Sequence, residues 1–201
     1  MSDAAGHPGR TAADPVSRAP SGPDRPEPSV DPVLRAAVRE IEAHAAGSGW
    51  DQPARLYALV PTADLLVREP ALAAAMGLDV ATAGDSLTPV EQDEIPAETP
   101  LEAVLEDIMW PAEVFGCAAV VERLVLPPAA DEQLPEDPVA AERFAADHPD
   151  REEVRIVAGV TRAGSTYCAL RLKAHDDALS VLESPDLVPI LLQLLRSTLE
   201  H

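Results

Sequence analysis

Five times after residue 29 of this 201-residue chain a side chain able to cap a helix stands directly before a proline: Asp31-Pro32, Thr88-Pro89, Thr99-Pro100, Asp137-Pro138 and Ser184-Pro185. The capping oxygen satisfies an orphaned amide, and proline at the first helical position has no amide of its own and a φ already near helical. Each pair therefore predicts a helix start. Thr88 with Glu91 and Thr99 with Glu102 add the capping-box spacing, in which the glutamate reaches back to the cap amide. This repeated device organises the chain beyond residue 29.

The segments between these starts carry clear periodicities. Leu34, Ala37, Val38, Ile41 and Ala45 form one helical stripe from Pro32 to about Ala46, stopped by Gly47 and Gly49. A strand over 54–60 follows, then two short helices after Thr62 and Glu69. Phe115 to Leu126 is the strongest strand, apolar on both faces except at Glu122 and Arg123, and belongs in the middle of a sheet. After the helix at Pro138, Glu152–Arg162 and Thr166–Ala174 read as a hairpin around Ala163-Gly164-Ser165. A three-residue loop pairs Val160 with Cys168, Ala158 with Leu170 and Ile156 with Leu172, setting all six on one face. The last helix, from about Pro185 to Glu200, has an apolar arc too wide for one sheet contact. Either it lies centrally under other helices, or Leu187, Leu191, Leu194 and Leu195 form part of a homodimer or partner interface. The expected fold is α+β: a mostly antiparallel four-stranded sheet packed with five to six helices, one domain over 30–201 behind a disordered tail, 1–29, rich in Pro, Gly, Ser and Ala.

Fifteen Lys and Arg against thirty-five Asp and Glu give a formal charge of -20, which argues against nucleic acid and anionic membranes as partners. There is a single lysine, Lys173, and no basic residue between Arg68 and Arg123. Within that gap Glu91, Asp93 and Glu94 read either as a solvated connector or as an acidic docking face for a basic partner protein; they lack the glycine turn and further ligands of a calcium loop. No stretch approaches a membrane helix and no apolar leader stands at the N-terminus, so a cytoplasmic location is expected. Cys117 and Cys168 sit in apolar runs and read as reduced core residues. No metal and no cofactor is expected.

Phosphate loops, zinc helices and nucleophile elbows are missing from the sequence. His44 lies on the first helix a turn and a half before Trp50-Asp51, and it reads either as part of a His44, Asp51 and Cys117 or Cys168 cluster or as an exposed helical histidine. Trp50, Asp51, Arg55 and Glu122 are the candidate binding residues. Trp50 falls where helix passes to strand and its indole N–H needs a polar partner. Adjacent positions on a strand face opposite sides, so either Glu122 or Arg123 points toward a covered face, and an Arg55 to Glu122 ion pair would answer that.

Gly49-Trp50-Asp51-Gln52-Pro53-Ala54-Arg55-Leu56-Tyr57-Ala58-Leu59-Val60, Leu87-Thr88-Pro89-Val90-Glu91-Gln92, Trp110-Pro111 and Val121-Glu122-Arg123-Leu124 together resemble an uncharacterised family of actinobacterial cytosolic proteins of about this length. The resemblance covers roughly residues 31–200. It implies a one-domain soluble protein without an assigned activity and supplies no catalytic residues. Two functions are therefore expected in order: a non-enzymatic protein-binding module, adaptor or chaperone-like, then a small hydrolase or transferase with its site near Trp50 to Arg55.

Overall fold

The computed structural model describes residues 30–96, 99–131 and 133–200; the expected disordered tail lies outside the described residues. In chain order the elements are α1 (Pro32–Gly47), β1 (Arg55–Pro61), α2 (Thr62–Arg68), α3 (Pro70–Ala75), α4 (Val80–Ala83), β2 (Leu87–Glu91), α5 (Leu101–Asp107), β3 (Gly116–Val125), α6 (Pro128–Asp131), α7 (Pro138–Asp147), β4 (Glu152–Thr161), β5 (Thr166–Leu172), β6 (Leu182–Ser184) and α8 (Pro189–Ser197). All six strands form one sheet in the order β2-β1-β3-β4-β5-β6, every neighbouring pair antiparallel. The sheet thus has two more strands than expected.

Both additions come from cap-proline pairs. Thr88-Pro89 lies inside β2 rather than opening a helix, and Ser184 ends β6, four residues before the cap position of α8 at Val188. The residue before a proline is driven out of the helical region, which suits a strand as well as a cap. Thr88 also has a better partner in the fold: its hydroxyl lies 2.8 Å from that of Thr62, both buried at the turn from β1 into α2. Pro89 is tolerated because β2 is an edge strand. The other pairs behave differently again. Asp31 accepts from the amides of Val33 and Leu34, and Asp137 from that of Ala140, so these two cap as expected. At α5 the cap position is Pro100, without a side-chain bond.

Two apolar layers enclose the sheet. On one face the stripe Leu34, Ala37, Val38, Ile41 and Ala45 of α1 packs on Tyr57, Leu59, Ala118, Val120, Val157, Tyr167 and Ala169. Gly159 makes this close approach feasible: a Cβ there would meet Val38 Cγ2 at 2.8 Å. On the other face α5 and α8 cover Leu56, Cys117, Ala119, Val121, Val154, Ile156, Ala158, Val160 and Cys168. β3, third in the order, is central as its double-sided apolar sequence requires.

In the β4–β5 hairpin the loop has the expected odd length, with Gly164 at φ 91. The pairing is nevertheless displaced by two residues: Val160 faces Thr166, Ala158 faces Cys168 and Ile156 faces Leu170. An even displacement preserves the faces, so the apolar set stays where the alternation placed it. Instead of starting at Pro185, α8 runs from Pro189 and lies on β4 and β3. Leu195 is fully buried against the sheet, so it is unavailable to a second copy.

Candidate functional site

β1 and β4 begin, and β3 and β5 finish, at the same end of the sheet, and there the core turns polar on the α1 face. Register places Glu122 of β3 beside Arg155 of β4, and Arg155 beside Arg171 of β5. Two guanidinium groups directly opposed would repel. Each has its own carboxylate. Arg171 makes a two-pronged pair with Glu42 of α1, at 2.6 and 3.0 Å, and reaches Asp176 at 3.2 Å. Arg155, 1% exposed, donates to Glu122 at 2.7 and 3.1 Å and to the carbonyl of Gly49.

Trp50 joins the two halves. Its indole N–H donates to Asp176 at 2.8 Å, and its ring takes the Arg155 guanidinium at 4.4 Å and the Lys173 ammonium at 5.7 Å. Lys173, the single lysine, also pairs with Glu153 and Asp51, and these carboxylates, Glu153 first, hold its ammonium above the usual lysine range. The second oxygen of Glu122 accepts the amides of Asp51, at 2.7 Å, and Gln52, at 3.3 Å. Those bonds hold Asp51 at φ 63, the only non-glycine residue with positive φ among the described residues, and its side chain is 83% exposed.

The four sequence candidates therefore meet at one place, with different partners. Glu122 pairs with Arg155, and the expected Arg55 to Glu122 pair is not formed. Arg55 instead takes Gln52 at 3.1 Å and Glu91 at 3.8 Å, while Tyr57 donates to Glu91. Of the acidic trio, Glu91 is thus engaged; Asp93 and Glu94 are exposed. His44 is exposed on α1, on the opposite face of the sheet from Cys117 and Cys168, so no such cluster assembles. Burial pushes the Cys117 thiol up to about 11 and raises that of Cys168. Among the described residues no group of His, Cys, Asp and Glu is arranged to hold a metal ion.

The opposite face at this same end holds what the sequence did not disclose. An open groove of about 280 Å³ lies between α5, the sheet and the start of α8. Val121, Ile156, Val188, Ile190, Leu191 and Leu194 line it, with Glu102 and Arg123 at its rim. That volume lies at the lower edge of the range for small-molecule pockets, and one or two aliphatic side chains would fill it. The rim charges pair with each other at 3.0 Å. The backbone amide of Glu102 itself in the first turn of α5, and then Arg123, hold the Glu102 carboxyl below the usual range. Of the four leucines expected at a dimer interface, Leu191 and Leu194 line the groove and Leu187 is partly exposed near it. Ile190, on the same apolar arc, also lines the groove and is 78% exposed.

An antiparallel six-stranded sheet covered on both faces, with a buried ion network and an open apolar groove at one end, defines a class of α+β protein. A model of the PPA1309-like protein family matches residues 34–200, so the chain belongs to that family. No curated protein and no solved structure matches the chain. No helix among the described residues is long and apolar enough to cross a membrane.

Proposed function

We propose that this protein is a non-enzymatic protein-binding module, adaptor or chaperone-like in action, which receives an apolar segment of a partner in the groove between α5 and α8. The groove carries this reading. It is apolar, open and flanked by Ile190, a large side chain that the fold leaves in water. The ion network around Trp50 supports it indirectly by fixing the end of the sheet behind the groove. The same proposal, with the motif resemblance, has the protein acting in the cytoplasm of an actinobacterium.

Ile190→Asp and Leu187→Asp put a charge on the groove margin while sparing the buried leucines. Both variants are expected to fold, by circular dichroism, and to lose the partners that the native protein retains in affinity capture. An unchanged partner list for both would reject the groove as the binding surface.

A further inference from the structure

The apolar groove has a neighbour at its rim. Arg123 is shared with a second concavity of about 540 Å³, lined by Asp51, Gln52, Pro53, Glu94, Pro100 and Glu122 among others. The two hollows have this one side chain in common, but their chemistry differs. Arg123 is occupied by Glu102, and Glu122 by Arg155 and two backbone amides. The carboxylates left over are Asp51 and Glu94. Glu94 makes no ion pair or hydrogen bond among the described residues. Asp51 touches Lys173 only at 3.4 Å, while that ammonium lies closer to Glu153. The left-handed backbone at Asp51, over-determined by Glu122, keeps this carboxylate presented outward.

The geometry points to a composite docking surface for a partner segment of mixed chemistry: one or two aliphatic side chains enter the α5–α8 groove, and a flanking Lys or Arg enters the second concavity against Asp51 and Glu94. This inference rests on the groove being a binding surface and adds the charge of what binds. Charge complementarity supports it at two scales. Locally the exposed groups are anionic, Asp51 holding only its long contact to Lys173, and globally a charge of -20 draws basic segments in and repels acidic ones.

Fluorescence anisotropy with the full chain and a pair of labelled synthetic peptides tests it. One peptide carries two leucines followed by two arginines; its counterpart has glutamates in place of the arginines. The arginine peptide is expected to bind at least tenfold more tightly, and added salt should narrow the gap. Asp51→Asn combined with Glu94→Gln should weaken the arginine peptide by about three- to tenfold, as two exposed charge contacts allow, and leave the glutamate peptide unchanged or stronger. Ile190→Asp should weaken both. Equal binding of the two peptides overturns the charge inference and leaves the groove reading standing, as does an arginine preference that the double substitution does not reduce. Binding of neither peptide overturns both, and so does a dimer in sedimentation that Ile190→Asp dissociates, since a second copy would then be the occupant.

Discussion

Arginine, not lysine, carries charge into the interior of this molecule, and Arg155 and Arg171 are buried under α1. A planar guanidinium can meet a carboxylate with two parallel bonds and stack on an aromatic ring, which a compact ammonium cannot do as well. Arg171 uses the first property on Glu42 and Arg155 the second on Trp50. One atom of Arg155, Nη1, is buried without a hydrogen-bond partner, and the Trp50 ring offsets part of that cost. Two ion pairs of equal geometric quality should then differ sharply in weight. Glu42→Ala leaves the buried Arg171 charge with only its contact to Asp176 at the protein surface and should lower stability by up to about 3–5 kcal/mol. Arg39→Ala breaks the pair with Glu183, in which Arg39 is mostly in water, and should cost less than about 1 kcal/mol. Urea denaturation of the two variants checks the ranking, and similar midpoints would refute it.

At the scale of elements, the distance between α1 and the sheet is set by Gly159. Gly159→Ala would drive a methyl into Val38 and Leu34, pushing the helix outward, at an expected cost of about 1–3 kcal/mol. A thermal melt at or above the native midpoint would show that the helix is not seated as described. α1 and α7 were legible in the sequence almost to the residue, because an aspartate cap, a proline and a periodic or alanine-rich stretch agree there. β2 and β6 were not, because a residue before proline is extended both at a cap and in a strand, and only the neighbouring chain decides between them. The hairpin shows the same division: alternation fixes which residues share a face, but the register by steps of two depends on packing. Trp50 was legible as a joint needing a polar neighbour. Its partner Asp176 was not, being 126 positions away. Glu42 had left a signal, since it falls on the buried stripe of α1 one turn after Val38, and Arg171 had left another by standing inside a covered strand. The groove left none. It is made by α5, β3, β4 and α8 together, and it exists only once strand order has brought them into line.

For the whole molecule, the buried thiols and phenols make alkaline pH the vulnerable side. Burial raises Cys117 from 9.0 to about 11 and also raises Cys168, Tyr57 and Tyr167, so the folded chain holds these protons when the unfolded chain has released them. Stability is therefore intact below about pH 9 and falls as the pH climbs toward 11, with Cys117 alone accounting for about 3 kcal/mol. Urea midpoints measured across that range should decline steadily; a flat profile would mean that the thiols are not sealed in the core. The two cap-proline pairs that became strands have a molecular consequence of their own. They stand at opposite flanks of the sheet: Pro89 leaves β2 without one N–H along its rim, and Pro185 follows a β6 only three residues long. A sheet grows by recruiting fresh backbone at its flanks, and here both flanks are poor templates. The chain is thus guarded against polymerising through its own backbone.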